Sequence, residues 1–420
     1  MKGILHLHEN ENETPTKCYC YTTANEFIIK SQVIEQNSKI RSIKFKQIYN
    51  VFPIISNNKN CFEIKLITND SLILSADSFC EMQKWVIALL DDPQPNDISF
   101  DSFEIIGIIS SNMKSCIRYV KRNGKEYAIK SVAKCRYAAG KNSSKVICER
   151  NSLMRIKCPY IIKLYATFQT NEFYNFVIEY AEKGNLKQVM KYSDISIYQK
   201  KLYLFEIAVA LNELHKLGII HRDLKPEHIL ISKTGHIKLT DFTNSVDTSS
   251  VDYKQVESLS NYTSPEIILG IEVDYSTDWW SFGVIAYELI IGNVPFKGAS
   301  TRLTNDLIVN GTHKIPSMME YATSNFLNHL LTKNPENRFT YDEIINSEFF
   351  QNFSEEKALK CQYKPEFIPP SQNIAELDQF SYSLEYPRSF SIDNDIHGFS
   401  WDAAESFENS TSICFECDNP

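Results

Sequence analysis

Short alternating runs fill the first part of this chain of 420 residues, and longer helical patterns dominate the remainder. Up to about residue 92, β-branched and aromatic residues recur in brief stretches between polar breaks: Gly3-Ile4-Leu5, Tyr19-Cys20-Tyr21, Phe27-Ile28-Ile29 and Cys61-Phe62-Glu63-Ile64-Lys65-Leu66. A period of two predicts strands with one buried face. Between Phe79 and Leu90 the period lengthens, and Met82, Trp85, Val86, Leu89 and Leu90 fall on one helical face. Residues 1–92 therefore predict a small β-sandwich or barrel capped by a helix. The acidic, proline-bearing stretch Asp91-Asp92-Pro93-Gln94-Pro95-Asn96-Asp97 opens a linker, set at residues 93–102. From Phe103 to Phe353 come five strand-like segments, one helix and a mostly helical region, and residues 354–420 form a polar, aromatic tail with little periodicity. The expectation is a multidomain α+β protein.

Composition narrows this picture. A chain of this length, 43% hydrophobic and 23% charged, supports two or three domains with full cores. The net charge of -8 argues against a general nucleic-acid binder, which relies on a surplus of Lys and Arg, so no nucleic-acid partner is expected. No stretch offers the ~18 apolar residues of a membrane helix, and the start, with His6, His8 and several glutamates, is no signal peptide. These features predict a cytoplasmic protein with at most transient contact with membranes. The eleven cysteines are scattered and read as reduced core thiols; the lone CxxC at Cys414 and Cys417 is weak evidence for metal.

The candidate chemistry lies between Ile220 and Asp241. An apolar approach delivers His221-Arg222-Asp223-Leu224-Lys225-Pro226-Glu227-His228, and the alternation His236-Ile237-Lys238-Leu239-Thr240 ends on Asp241. Two carboxylates thus sit at two loop edges joined by a short hairpin. That layout suits phosphoryl transfer, in which one acid orients a hydroxyl and another holds a metal on the phosphates. The segment resembles the catalytic and metal-binding loops of protein kinases, H-R-D-x-K-x-x-N followed by D-F-G. With Tyr127-Ala128-Ile129-Lys130, Ser264-Pro265-Glu266, Thr277-Asp278-Trp279-Trp280-Ser281-Phe282-Gly283 and Val294-Pro295-Phe296, it is similar to the AGC-group serine/threonine kinases, the group containing protein kinase B. The resemblance implies a bilobal protein kinase fold over 103–353 and a regulatory tail over 354–420.

It also implies roles. Asp223 would orient the substrate hydroxyl, Lys225 would neutralise the transferring phosphoryl group, and Asp241 would bridge a metal to the phosphates. Lys130 would grip the α and β phosphates with Glu149 as its partner. Ile178, Glu179 and Ala181 stand at the hinge that pairs with adenine. Asp278 would anchor the catalytic loop, and Glu266 would meet Arg338. The implied cofactors are ATP and Mg²⁺, with Mn²⁺ as the alternative cation. Implied partners are an upstream kinase and protein substrates, with a preference for basic residues near the Ser or Thr that Glu227 would meet and that Asn185, where related kinases carry Glu, would weaken. Residues 1–92 resemble a pleckstrin homology domain with Trp85 on its closing helix. Its first loop, carrying Glu9, Glu11 and Glu13 with Lys17 after it, would repel a polyanion, so phosphoinositide binding is not expected.

Several positions depart from the pattern. The phosphate loop offers Ser110, Ser111 and Asn112 without glycine, and Gly107 lies too early. His228 stands where an asparagine would serve the second magnesium, and imidazole suits a hard cation poorly. Thr243 replaces the glycine of D-F-G, and a β-branched residue resists the positive φ or the peptide flip that glycine allows. Near Gln255, where related kinases carry a phosphorylated threonine, Glu257 would supply a fixed carboxylate, or, with a small shift of the alignment, Ser258 or Ser260 would take the phosphoacceptor place. In the tail, Phe399-Ser400-Trp401 resembles a hydrophobic motif, with Ser400 as phosphoacceptor and the rings predicted to fill a groove between the Glu149 helix and the strand near Ile161 and Leu164. Two functions remain open: a slow or conditional MgATP-dependent serine/threonine kinase, favoured by the retained charges, and a pseudokinase scaffold or switch, favoured by the altered glycines and His228.

Overall fold

The computed structural model describes residues 2–8, 15–23, 26–31, 40–56, 59–68, 70–78, 81, 82, 85, 89, 98–112, 115–137, 143–192, 195–248, 259–271, 273–372, 375, 376 and 399–402. These fall into two compact units, one drawn from residues 1–155, 164–178 and 376–407, the other from 156–163 and 179–375.

The first unit holds two antiparallel sheets. β1 (Lys2–His8), β2 (Thr16–Thr22), β3 (Glu26–Ser31), β4 (Ile40–Lys44), β5 (Ile48–Ser56), β6 (Lys59–Leu66) and β7 (Ser71–Ala76) run in the order β4-β3-β2-β1-β7-β6-β5. The alternation read from the sequence sets which side faces the core. Leu5 and Leu7 of β1 and Cys18 and Cys20 of β2 are buried, whereas Lys17 and Tyr19 between them are exposed, and Leu5 lies directly opposite Cys18. Met82, Trp85 and Leu89 are helical and buried in the same core, and Trp85 meets Phe27 edge-on at 5.8 Å. Gly3 permits this approach, because a Cβ there would lie 3.3 Å from the Trp85 ring. Val86 and Leu90, assigned to the same helical face, lie outside the described residues.

The second sheet carries β8 (Glu104–Ser111), β9 (Ser115–Arg122), β10 (Lys125–Ala133), β11 (Leu164–Gln169) and β12 (Phe173–Glu179) in the order β8-β9-β10-β12-β11, with helix α1 (Ser143–Arg155). These are the five strands and one helix that the patterning predicts. The linker expectation needs correction: Ile98 and Phe100 join the core of this sheet with Phe103, Tyr127, Val177 and Phe168, and Phe100 packs edge-on against Phe168 at 5.2 Å. Apolar side chains followed by a 3₁₀ turn at Phe100–Ser102 bring this part of the linker into the domain.

The second unit is mostly helical, built from α2 (Leu186–Val189), α3 (Ile197–Lys216), α4 (Pro265–Leu269), α5 (Ser276–Ile291), α6 (Thr301–Asn310), α7 (Tyr321–Leu330), α8 (Tyr341–Ile345) and α9 (Glu355–Leu359). The hydroxyl of Ser196 accepts the Gln199 N–H at 3.1 Å and caps α3, whose run from Leu202 to Leu211 is buried all round. Gly283 of α5 meets α7 closely, since a Cβ there would lie 2.7 Å from Leu330 Cβ. Two short ribbons stand among the helices, β13 (Ile219–Ile220) with β16 (Val246–Asp247), and β14 (Ile229–Ile231) with β15 (Ile237–Leu239). Residues beyond 354 also pack on this unit. Ala358 is fully buried and its carbonyl accepts the Tyr160 hydroxyl, and Gln199 Oε1 accepts the backbone N–H groups of Glu366 and Phe367 at 2.7 and 3.2 Å.

Candidate active site

Ile219 and Ile220, buried and paired to Asp247 and Val246, hold the start of the loop that carries His221, Arg222 and Asp223. Asp278, at the start of α5, receives that loop. Its Oδ2 accepts the His221 N–H and its Oδ1 the Arg222 N–H, both at 2.8 Å, while the His215 ring lies 2.9 Å from Oδ2. Burial would raise the Asp278 carboxyl, but the His215 hydrogen bond and charge, with His221 behind them, outweigh it and hold it below the usual carboxylate range. Arg222 needs this clamp, because its φ of 62° is in the left-handed region that a long side chain rarely adopts. The anchoring role expected of Asp278 is thus matched by geometry.

The loop places Asp223 and Lys225 together: Lys225 Nζ lies 3.2 Å from each carboxylate oxygen. Asn244 donates from Nδ2 to Asp223 Oδ2 at 3.2 Å, and its own carbonyl accepts Arg222 Nε at 2.7 Å. His228 reaches both loop edges. Its Nδ1 lies 2.9 Å from the Asp223 carbonyl oxygen, and its Nε2 lies 3.1 Å from Asp241 Oδ2. Burial pulls the His228 imidazole down, but the facing Asp241 carboxylate and its hydrogen bond outweigh burial and Lys225, so the net direction is upward. His221, fully enclosed, moves the other way because burial dominates over Asp278.

Asp241 adopts φ 64°. The expectation that Thr243 would suffer from a demand for positive φ is corrected: Thr243 has no positive φ, and its hydroxyl donates to Asp241 Oδ1 at 2.6 Å. The strained position is two residues earlier, where Asp tolerates it. Both Asp241 oxygens therefore already meet a donor or ring nitrogen of this chain.

Within the sheet unit, Lys130 on β10 and Glu149 on α1 form a buried ion pair, Nζ to Oε1 at 2.6 Å. The phosphate-loop candidates lie at the paired ends of β8 and β9. Ser110 and Ser111 are paired opposite Ile117 and Cys116, the Asn112 N–H donates to the Ser115 carbonyl at 2.9 Å, and Asn112 Oδ1 accepts the Ser115 N–H at 3.0 Å. This pairing thus engages N–H groups that a glycine loop would turn toward phosphate. Of the hinge candidates, Ile178 is buried, the Glu179 N–H donates to the Lys163 carbonyl at 2.9 Å, and the Ala181 carbonyl accepts from Gln372 Nε2 at 3.3 Å.

Elsewhere, Glu266 and Arg338 meet as expected at 2.8 Å, both almost fully buried. Glu227 is exposed, whereas Asn185 caps α2, its Oδ1 accepting the Gln188 N–H at 3.0 Å. In the sheet unit, Phe399 is fully buried against Tyr174 and Phe176 at 5.0 and 5.5 Å, and its carbonyl accepts the Thr167 hydroxyl. The strand Trp401–Asp402 pairs with Thr167 and Ala166, so the ring meets β12 while the backbone extends β11. Ser400 is half-buried. Glu257, with Gln255 and Ser258, lies outside the described residues. Sequence reasoning missed Asn244, His215 and the role of the Thr243 hydroxyl; only Asn244, one residue beyond Asp241-Phe242-Thr243, carried a local signal.

Donor chemistry decides which groups the site suits. In the helical unit Asp241 offers a hard carboxylate that suits one magnesium; in the sheet unit Lys130 offers an ammonium of the kind that suits a phosphate. A second magnesium does not fit, because His228 presents nitrogen where oxygen is required. Among the described residues no cluster of three His, Cys, Asp or Glu could hold a metal by itself.

The protein kinase domain family model matches residues 108–350. The human ribosomal protein S6 kinase alpha-6 is 31% identical over 281 residues, covering 64% of this chain and 37% of that protein. The Saccharomyces cerevisiae serine/threonine-protein kinase YPK1 is 29% identical over 307 residues, covering 71% and 45%. A probable serine/threonine protein kinase of Arabidopsis thaliana, IRE4, is 30% identical over 321 residues, covering 67% and 31%. The chain spans between about a third and a half of the length of these relatives.

Proposed function

The chain belongs to the protein kinase family, and we propose that it transfers the γ-phosphoryl of MgATP to Ser or Thr hydroxyls of proteins, slowly or under conditional control in a signalling pathway. The observation that carries this is the Asp223 carboxylate held 3.2 Å from Lys225 on a loop clamped by Asp278. Asp223 orients the attacking hydroxyl and receives its proton as the new O–P bond forms and the bond from the γ-phosphorus to the bridging oxygen breaks, ADP leaving with that oxygen, and the Lys225 ammonium faces the charge that develops on the phosphoryl oxygens. Lys130, fixed by Glu149, binds the nucleotide phosphates. Asp241 would hold a magnesium ion, which would supply charge neutralisation. Exposed Glu227 leaves a preference for substrates with basic residues, weakened by Asn185, and Ser400 is the position for an upstream kinase. Residues 1–92 act as a pleckstrin-homology-like docking module in a cytoplasmic protein, without phosphoinositide selectivity.

A second reading, a pseudokinase switch, draws support from the two contacts that hold Asp241 and from the glycine-free Ser110-Ser111-Asn112. Purified protein, radiolabelled ATP and a basic Ser/Thr peptide decide between them. The kinase reading expects slow incorporation that Asp223→Ala and Asp241→Ala abolish. Incorporation no higher than in Asp223→Ala with either Mg²⁺ or Mn²⁺, also after treatment with an upstream kinase, establishes the switch instead.

A further inference from the structure

We infer that His228 fills the place of the second metal, so that the nucleotide-bound protein carries one divalent cation, held by Asp241. The inference rests on the kinase reading for the nucleotide, but on this chain's own geometry for the count. The ring is fixed at both ends. Nδ1 lies 2.9 Å from the Asp223 carbonyl oxygen and Nε2 lies 3.1 Å from Asp241 Oδ2, so both nitrogens are turned to protein oxygens and the ring presents no oxygen to a second cation. The His228 side chain is 13% exposed, with its backbone carbonyl tied to the Thr240 N–H at 2.9 Å, which fixes the residue between the two loops. An asparagine could make the same bond to the Asp223 carbonyl from its amide N–H and still present oxygen to magnesium. Histidine keeps that bond and loses the oxygen.

The second Asp241 oxygen is already met by the Thr243 hydroxyl at 2.6 Å. A carboxylate oxygen has further lone-pair directions, so one cation can still be accepted there. A second cation would need an oxygen donor from position 228, and the imidazole occupies that space. Nucleotide affinity should therefore stop rising once free metal has saturated a single site.

The test uses the full chain with a non-hydrolysable ATP analogue and Mn²⁺ as a paramagnetic probe, counting bound Mn²⁺ by electron paramagnetic resonance and bound nucleotide separately by absorbance. One Mn²⁺ per nucleotide is expected in the wild type and two in His228→Asn, with the second site in the wild type weaker by about tenfold or more. His228→Asp, which also restores oxygen, provides an independent variant if His228→Asn melts early. Two Mn²⁺ per nucleotide in the wild type, or none, overturns the inference and leaves nucleotide binding standing. A protein that retains no nucleotide with either metal overturns the kinase reading and this inference together.

Discussion

Truncating Phe399 to alanine removes the ring that holds the tail on the sheet. The side chain is fully buried, with Tyr174 and Phe176 centroids at 5.0 and 5.5 Å, both within the range at which aromatic pairs attract beyond their buried area. Core Phe→Ala changes cost about 3–5 kcal/mol, and 3 kcal/mol is about a 150-fold shift in the ratio of docked to undocked tail. Residues 399–402 attach through the ring, the Thr167 hydroxyl and the pairing of Trp401 with Thr167. They can leave without dissolving β8 to β12, so the loss of global stability stops at the docking energy and the remainder appears as local opening. Hydrogen exchange read by mass spectrometry on peptides covering Ala166 and Thr167 should accelerate in Phe399→Ala, with a lower melting temperature. Phe399→Leu, which keeps most of the apolar volume, should fall between the two. Exchange and melting in Phe399→Ala equal to wild type would refute the docking argument.

Two further outcomes come from the packing and charges. Because the folded-state pKa of His228 is raised above 6.5, its contribution is fully present below about pH 6.5 and is lost as pH rises through the folded value; the melting-temperature difference between wild type and His228→Gln should shrink on going alkaline. His221, whose lowered pKa acts with the opposite sign, owes part of its shift to the His228 charge, so the His221→Gln background serves as the control, and a difference independent of pH contradicts the assignment. Gly283→Ala brings a Cβ 2.7 Å from Leu330 Cβ and should destabilise the helical unit by about 1–3 kcal/mol in urea unfolding; an unchanged midpoint would show that α5 and α7 separate freely.

Legibility in the sequence depended on how local each signal was. The alternation of Leu5, Leu7, Cys18 and Cys20 and the helical spacing of Met82, Trp85 and Leu89 are statements about neighbours in the chain, and the structure buries those residues. Lys130 with Glu149, Glu266 with Arg338 and Asp278 beneath the loop were readable only through the order of motifs, since 72 residues separate the Glu266 and Arg338 whose buried groups meet. Ile98 and Phe100 were assigned to a linker because acid and proline before them outweigh two isolated apolar residues. Thr243 was misjudged because a residue type was weighed through backbone freedom alone. The position supplies a hydroxyl within reach of Asp241, and no period or propensity reports that.

That hydroxyl and the His228 ring explain how the site could keep its acids and still work slowly. Asp223 begins with Lys225 and Asn244 as donors, and Asp241 with Thr243 and His228, so the carboxylates are partly satisfied before any ligand arrives. A hydrogen bond to a charged group contributes about 1.5–3 kcal/mol. If an entering cation must displace one such bond at Asp241, its affinity falls by a factor of about 10 to 150. Partial exposure of the Asp241 side chain, at 33%, moves the expectation toward the lower end. A tenfold deficit is one that cellular magnesium or a tightly bound substrate can offset, whereas loss of Asp223 or Lys225 removes groups that act on the transition state itself. On the proposed kinase reading the altered positions weaken the approach to the reaction more than the reaction, and the variants separate the two. His228→Asn should change metal dependence more than the rate at saturating metal. Asp223→Asn should lower the rate at every metal concentration while leaving the bound Mn²⁺ count intact, and a parallel loss of metal in Asp223→Asn would place Asp223 among the ligands and undo this division.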